Sequence, residues 1–392
     1  MRRLFVIVST VLAVAWSASG PVLAQPKEPV KIGLSAAVSG GSAASGEAIK
    51  RGLQIAIDEI NAKGGVLGGR KLELVIRDDE GNPQKGVTIA REPVEREKVA
   101  AVFGGLHTTV ALAQVPVWQE LKVPYMGAWA AGTNITRNGQ TPNYVFRVSA
   151  NDDYVDRFLS RYAIESLKKG KPGLLLENTP WGQSNETGLT KWFGEKGIKA
   201  VGVERFNWND PDMTPQLLRL KNAGADLIVL VANAPEGAQV LRSKSKLGWD
   251  AAMISHWGIS GGRFAELTGD LSEGVTFLQT YTFVGKQNER GQYVLKMLRE
   301  KYGVKEPGDV IAPVGTANAY DGMHLVAMAI DQAGSTDRPK VRDALENLKG
   351  EHKGLIKTYK RPFTAEQHDA LTDEDYVMVV WKGGKIVPVS MK

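Results

Sequence analysis

The sequence predicts an α/β protein with two lobes, each a mostly parallel sheet flanked by helices. Short runs rich in Val, Ile and Leu alternate with amphipathic helix patterns through most of the chain, as expected of buried parallel strands joined by helices. One sheet rarely contains so many strand–helix units, and 392 residues are enough for two domains.

The strands and helices of these lobes are predicted from the spacing of apolar residues. Ile49, Leu53, Ile57 and Ile60 recur on one face of a helix that stops at 63–65, where two glycines follow a lysine. Two further helices of this kind end at glycines, over 217–224 and 240–248. Nine short apolar segments are predicted strands: 30–37, 71–77, 100–106, 124–130, 144–148, 173–176, 200–206, 226–231 and 252–256.

The two lobes are expected to be discontinuous in sequence, because strand-like segments without a following helix mark crossings near 148–150 and near 276–282. The predicted first lobe therefore contains residues 25–148 and 277–360. The predicted second lobe contains residues 149–276 and 361–392, with a last strand at 376–381. Several crossings between lobes suit a hinge.

The first 24 residues have the pattern of a secretory signal. A basic start at Arg2 and Arg3 precedes an apolar run over 4–16, and cleavage is expected after Ala24. The chain has no cysteine, so it folds without disulfides and lacks the residue that lipid-anchored export needs. These features predict a freely soluble periplasmic protein.

Charge and motif content exclude several classes of function. The formal charge of +6 is spread among interspersed acids and bases, which describes a solvated surface and not a nucleic-acid-binding stripe. No P-loop, no G-x-G-x-x-G after the first strand and no H-E-x-x-H motif is present. The five histidines are scattered, so we expect neither a metal nor a cofactor.

One segment leaves an enzymatic alternative open. The run Gly258-Ile259-Ser260-Gly261-Gly262 fits G-x-S-x-G between a predicted strand and a helix, the context of a hydrolase nucleophile. Asp321 and His324 follow in the chain order of a triad, but both lie in one predicted helix and no oxyanion segment precedes them. The alternatives are an exported serine hydrolase using Ser260, or a glycine-rich loop at a cleft edge.

The ends of the predicted strands favour a binding cleft, since ligands of open α/β sheets lie at the carboxyl ends of strands. His107, Thr108 and Thr109 follow one strand and begin a helix, whose free N–H groups favour a carboxylate. Trp129, Trp181 and Trp257 each follow a predicted strand by a few residues. Aromatic walls with a few polar anchors are typical of small-molecule pockets.

A series of short motifs resembles the branched-chain amino-acid-binding type of periplasmic protein, the solute-binding component of an ABC transporter. The motifs are Lys31-Ile32-Gly33-Leu34, Val38-Ser39-Gly40, Ile60-Asn61-Ala62-Lys63-Gly64-Gly65, Arg77-Asp78-Asp79-Glu80, Pro124-Tyr125 and Trp181-Gly182. The resemblance extends over nearly all of the mature chain. It implies the two-lobed type I binding-protein fold, a monomer, a small-molecule ligand and an ATP-driven membrane permease as partner. A ligand-sensing subunit of a receptor would use the same cleft.

The resemblance also implies a set of ligand-binding residues. They are Ser45, His107, Thr108, Trp129, Ala130, Ala131, Trp181, Asn233 and Trp257. Trp257 stands where similar amino-acid binders carry the acid that neutralises the ligand's ammonium group, and a buried ammonium without a partner is unfavourable. We therefore expect an apolar or aromatic carboxylate without an α-amino group, with an amino acid as the second choice. Glu236 is the acid that would restore amino-acid binding.

Overall fold

The computed structural model of the protein describes residues 27–389. The predicted signal peptide, residues 1–24, and its cleavage point after Ala24 lie outside the described residues.

The first sheet has five parallel strands in the order β2-β1-β3-β4-β5. These strands are β1 (Val30–Ala36), β2 (Leu72–Asp78), β3 (Ala101–Gly104), β4 (Tyr125–Gly127) and β5 (Val145–Arg147). All residues of β3, β4 and β5 are buried, because helices cover both faces of a parallel sheet.

The second sheet has seven strands in the order β14-β13-β10-β9-β8-β6-β7. Its parallel strands are β6 (Pro172–Glu177), β7 (Gly202–Phe206), β8 (Leu227–Val231), β9 (Ala252–Ser255) and β10 (Thr276–Gln279). A separate antiparallel ribbon contains β11 (Glu351–Lys353) and β12 (Thr358–Lys360). The antiparallel edge of the second sheet contains β13 (Val377–Lys382) and β14 (Lys385–Pro388).

The two sheets repeat one topology. The order β7-β6-β8-β9-β10 in the second sheet matches β2-β1-β3-β4-β5 in the first, and both are doubly wound orders. The α/β fold with two mostly parallel sheets, predicted from the alternating pattern, is confirmed.

The helices pack on the faces of these sheets and are numbered in chain order. They are α1 (Ala43–Ala62), α2 (Pro83–Glu95), α3 (Thr108–Glu120), α4 (Thr133–Thr136), α5 (Asp152–Arg161), α6 (Pro180–Gly194), α7 (Thr214–Asn222), α8 (Ala234–Lys246), α9 (Phe264–Thr268), α10 (Glu289–Tyr302), α11 (Pro313–Ala333) and α12 (Arg338–Glu346). Asn82 caps α2 by accepting hydrogen bonds from two backbone N–H groups, which fixes where that helix starts. Gly334 adopts a left-handed conformation and ends α11.

Three segments connect the sheets: 148–151 after β5, 280–288 after β10, and 371–376 before β13. The backbone N–H of Asn151 donates to the hydroxyl of Tyr376 over 3.1 Å, which links the first and third segments. In the second segment the Thr280 hydroxyl donates to Asn318 Oδ1 on α11 over 2.9 Å. Polar contacts therefore tie the first and third connections to each other and the second to α11.

Two boundaries of the predicted lobes differ from the strand pairing. Residues 277–279, assigned from sequence to the first lobe, lie in β10 and pair in the second sheet. Residues 361–370, assigned to the second lobe, run beside β5 of the first: the Ala370 N–H donates to the Arg147 carbonyl over 2.9 Å. Asp369 of this segment forms a fully buried ion pair with Arg147 at 2.7 Å.

Candidate functional site

A small cavity lies between the two sheets at their carboxyl ends. Its lining comprises Leu106, His107, Thr108, Thr109, Ala131, Glu177, Thr179, Trp181, Trp208, Asn233, Trp257 and Gly258. These residues follow β3 and β4 in the first sheet and β6, β7, β8 and β9 in the second. The free volume is about 10 Å³, room for roughly one water molecule, so a larger ligand requires the walls to move apart.

The lobes touch across this cleft. The Trp129 and Trp257 rings lie 5.9 Å apart between centroids, and His107 and Trp208 lie 5.7 Å apart. In each pair one ring follows a strand of the first sheet and the other a strand of the second. The structure is therefore a closed arrangement of the two lobes.

Six of the nine predicted site residues line the cavity. They are His107, Thr108, Ala131, Trp181, Asn233 and Trp257. Ser45 instead lies buried in α1, where its hydroxyl donates to the Ser42 carbonyl over 2.6 Å. Trp129 is fully buried against Trp257, and Ala130 belongs to the core beneath the first sheet.

The start of α3 provides an anion-binding wall. His107 is the N-cap residue and makes no capping hydrogen bond with its side chain. The first backbone hydrogen bond here runs from Ala111 to His107, so the N–H groups of Thr108 and Thr109 precede the intrahelical ladder. The Thr109 hydroxyl oxygen is buried without a partner, whereas the Thr108 hydroxyl accepts from the Gly132 N–H over 3.1 Å.

Burial lowers the pKa of His107 to about 4. The ring is therefore neutral near pH 7, and its Nε2 lies 3.2 Å from the Ser42 hydroxyl. The positive end of this wall is consequently the helix terminus and not an imidazolium.

The aromatic wall is held in place by a buried carboxylate. Asp152 Oδ1 accepts from Trp181 Nε1 over 3.2 Å and lies 3.1 Å from His256 Nε2. The Trp257 N–H donates to His256 Nδ1 over 2.8 Å, which assigns the ring proton to Nε2. Asp152 thus orients Trp181 directly and Trp257 through His256.

The whole described fold matches one family model. The model for periplasmic binding proteins matches residues 29–385. The chain belongs to the periplasmic binding protein family. This assignment implies export to the periplasm and a solute-binding role.

Individual relatives agree with that assignment. The binding protein is 28% identical over 356 residues to the Leu/Ile/Val-binding protein homolog 2 of Brucella abortus, covering 91% of each chain. A periplasmic binding protein type 1 from Bordetella pertussis superposes with a TM-score of 0.84 at 25% identity, covering 92% of this chain and all of that one. An ABC-transporter solute-binding protein from Rhodopseudomonas palustris HaA2, in complex with p-hydroxybenzoic acid, has a TM-score of 0.77 at 22% identity over 93% and 96% of the chains.

The hydrogen-bond partners of Ser260 do not support the alternative of a serine hydrolase. The Ser260 hydroxyl donates to the Trp257 carbonyl over 2.7 Å and accepts from Gln279 over 2.9 Å. Asp321 instead accepts hydrogen bonds from the Leu355 and Ile356 N–H groups, and the His324 ring stacks on His352. In this binding protein the glycine-rich run is a 3-10 turn at Trp257–Ser260 followed by a bend, beside the cleft, which is close to the other interpretation of the sequence.

Among residues 27–389, no three His, Asp or Glu side chains are arranged to hold a metal ion. Over the same range, no helix has both the length and the apolar character that crossing a membrane requires.

The main cavity residue that the sequence did not reveal is Glu177. It ends β6 and is 1% exposed, and burial raises its pKa to about 7. The expectation of an amine-free ligand rests on Trp257 replacing the acid of similar amino-acid binders, but Glu177 supplies an acid in the cavity lining. Glu236 accepts from the Asn209 N–H over 3.4 Å and is absent from the lining. The sequence does carry one signal for Glu177, because an acidic residue directly follows the apolar segment 173–176.

Proposed function

We propose that the protein captures a small carboxylate-bearing organic molecule in the periplasm and delivers it to the permease of an ABC importer. The observation that carries this proposal is the start of α3 in the cavity wall, where the unpaired Thr109 hydroxyl accompanies free helix N–H groups. A carboxylate supplies acceptors for these donors and interacts favourably with the helix dipole.

The rest of the cavity favours an apolar or aromatic ligand body. Trp181, Trp208 and Trp257 line it together with Leu106, and burial of apolar ligand surface contributes roughly 25 cal/mol per Å². The Brucella relative is named for leucine, isoleucine and valine, and the Rhodopseudomonas structure holds p-hydroxybenzoic acid. Both kinds of molecule join a carboxylate to an apolar body, which supports the same ligand class here.

The remaining parts of the proposal concern the molecule in the cell. Residues 1–24 direct export and are removed after Ala24. The mature chain acts as a monomer, and closure of its lobes on the ligand presents a surface that the permease recognises. It binds without catalysing a reaction.

Calorimetric titration of the refolded mature chain tests the proposal. Benzoate, phenylpropanoate, leucine and phenylalanine are each compared with the corresponding primary amide, which has the same shape and no carboxylate. We expect at least one acid to bind and its amide to bind more weakly by roughly 10-fold or more. Equal binding of acids and amides, or binding of neutral molecules alone, would contradict the proposal.

A further inference from the structure

Glu177 is a buried carboxylate in the cavity wall without a cationic partner. It forms no ion pair within residues 27–389, where its partners are Asn233 and Trp208. The like charge of Glu236 acts on it in the same direction as burial, against ionisation. Removing an ionised carboxylate from water without a counter-charge is costly, so this site favours an incoming donor.

The hydrogen bonds of Glu177 leave one acceptor position open. Its Oε1 accepts from the backbone N–H of Asn233 over 2.7 Å and from Asn233 Nδ2 over 3.0 Å. Its Oε2 accepts only from Trp208 Nε1, over 2.8 Å. Each oxygen of an ionised carboxylate has about two acceptor positions, so in that form Oε1 is saturated and Oε2 has room for one more donor.

The same three bonds hold the carboxylate in a fixed orientation. Asn233 is the N-cap residue of α8, and Trp208 packs edge-on against His107 of the first lobe. Glu177 is therefore oriented by the second lobe, while the anion-binding start of α3 belongs to the first. A ligand between them meets donors on one side and an acceptor on the other.

We propose that Glu177 is a specificity-determining residue that selects ligands carrying a hydrogen-bond donor, an ammonium or a hydroxyl group, in addition to their carboxylate. This inference rests on the proposed function, since the carboxylate places the ligand at α3. The donor occupies the open position on Glu177 Oε2. An amino acid provides an ammonium group, and a hydroxylated aromatic acid provides a hydroxyl group.

Three acids of similar size test the inference: phenylalanine, 3-(4-hydroxyphenyl)propanoate and 3-phenylpropanoate. The first has an ammonium donor, the second a hydroxyl donor and the third neither. We expect at least one donor-bearing acid to bind the wild-type protein roughly 10- to 100-fold more tightly than 3-phenylpropanoate, the range of one hydrogen bond to a charged group. The acid with the larger gain identifies the donor.

The variant Glu177→Gln isolates the role of the carboxylate. If its amide oxygen keeps the bonds to Asn233, its amide nitrogen replaces Oε2 and presents a donor to the ligand. The same nitrogen faces the Trp208 N–H that Oε2 accepts from in the wild-type protein. We expect the preference for the donor-bearing acid to disappear while affinity for 3-phenylpropanoate changes little. Glu236→Gln is the matched control, because Glu236 is a neighbouring buried acid outside the lining. Its charge disfavours ionisation of Glu177, so this variant should keep the preference or enlarge it.

The outcomes separate this inference from the proposed function. Equal wild-type affinity for all three acids overturns the inference and leaves carboxylate binding intact. Equal loss of affinity for all three acids in Glu177→Gln assigns the residue a structural role and also overturns it. Failure of any carboxylate to bind the wild-type protein overturns the proposed function itself. If Glu177→Gln does not fold, the inference is decided by the affinity of the wild-type protein for the donor-bearing acids relative to 3-phenylpropanoate.

Discussion

Two adjacent threonines at the start of α3 form a matched pair, because one hydroxyl has a hydrogen-bond partner and the other has none. The Thr109 hydroxyl is buried without a partner, and the Thr108 hydroxyl accepts from Gly132. We expect Thr109→Val to weaken carboxylate binding by about 1–2 kcal/mol and to leave the free energy of unfolding unchanged or slightly higher. Titration calorimetry and urea denaturation measure the two quantities.

Thr108→Val is the control for that experiment. It leaves the buried Gly132 N–H without an acceptor and should lower the free energy of unfolding by about 1–3 kcal/mol. If Thr109→Val lowers stability as much as Thr108→Val does, Thr109 has a structural role and the anion-binding wall is misassigned.

Asp156 on α5 should make stability depend on pH. Neither of its carboxyl oxygens has a partner, and burial, followed by the charges of Asp152 and Asp153, raises its pKa well above the usual value. The folded state therefore keeps a proton that the unfolded chain releases, so this group's contribution to stability decreases as pH rises above its usual pKa. Asp156→Asn removes this pH-dependent loss of stability. The free energy of unfolding of the variant, relative to the wild-type protein, should therefore be higher at about pH 8 than at about pH 5.

Asp153 provides the opposite case in the same helix. Burial acts to raise its pKa, but hydrogen bonds from Lys191 and Arg137 lower the pKa overall. Asp153→Asn should therefore cost more stability at about pH 8 than at about pH 3. Denaturant titrations across this pH range measure the free energy of unfolding of both variants. If the difference between Asp156→Asn and the wild-type protein does not depend on pH, the Asp156 carboxyl is ionised in the folded state.

At the scale of single residues, local sequence predicts cavity-lining residues that lie at a helix start. His107 and Thr108 follow an apolar strand and begin α3, so both strand and helix signals point to them. Glu177 ends an apolar strand, but its orientation in the cavity depends on contacts with Asn233 and Trp208, which are 56 and 31 residues away. No local pattern encodes those contacts.

At the scale of helices, the packing of α5 on α6 depends on a glycine, Gly188, which has no side chain to separate them. A Cβ added at Gly188 would lie 2.0 Å from Asp156 Oδ2, and Asp156 is fully buried with little room to move. We expect Gly188→Ala to lower the free energy of unfolding by about 1–3 kcal/mol. Thermal or urea denaturation provides the measurement.

Gly194, in the last turn of the same helix, is the matched control. It is exposed, and a Cβ there meets nothing within 4 Å. Gly194→Ala should stabilise the protein by up to about 1 kcal/mol through helix propensity. The same sign of change for both substitutions would mean that helix propensity, and not packing on α5, determines the effect at Gly188.

Strands were predictable where they are buried on both faces. The predicted segments 173–176 and 226–231 correspond to β6 and β8, in which every residue is buried. The ribbon β11–β12 and the edge strand β14 were not predicted, because they are short and include exposed polar residues. An edge strand lacks the continuous apolar run that marks a central parallel strand.

At the scale of the whole molecule, the three connecting segments are the places where the lobes can rotate. The cavity has room for roughly one water molecule, so ligand entry requires the lobes to separate and binding requires them to close. We expect small-angle X-ray scattering to show a smaller radius of gyration with saturating ligand than without it. An unchanged radius at saturation would mean that ligands enter by side-chain motion alone.

The two-lobed architecture was predictable, but the third crossing between lobes was not. Residues 361–370 join the first lobe through the buried Arg147–Asp369 pair, whose members are 222 residues apart. Arg147 also donates to the Gly132 carbonyl over 2.9 Å, beside the cavity wall. Apolar periodicity carries no signal for a polar segment that is fixed by such a distant ion pair.

The tryptophans around the cleft give this protein an intrinsic fluorescence signal for ligand binding. Trp181, Trp208 and Trp257 line the cavity, and Trp129 lies directly behind it. Indole emission responds to polarity and to quenching groups, so contact with a ligand or separation of the lobes alters the fluorescence of this cluster. Trp118 lies in the core of the first lobe and Trp381 in that of the second, and both provide a steadier background. Ligand occupancy can thus be followed in the unmodified chain, without an attached dye.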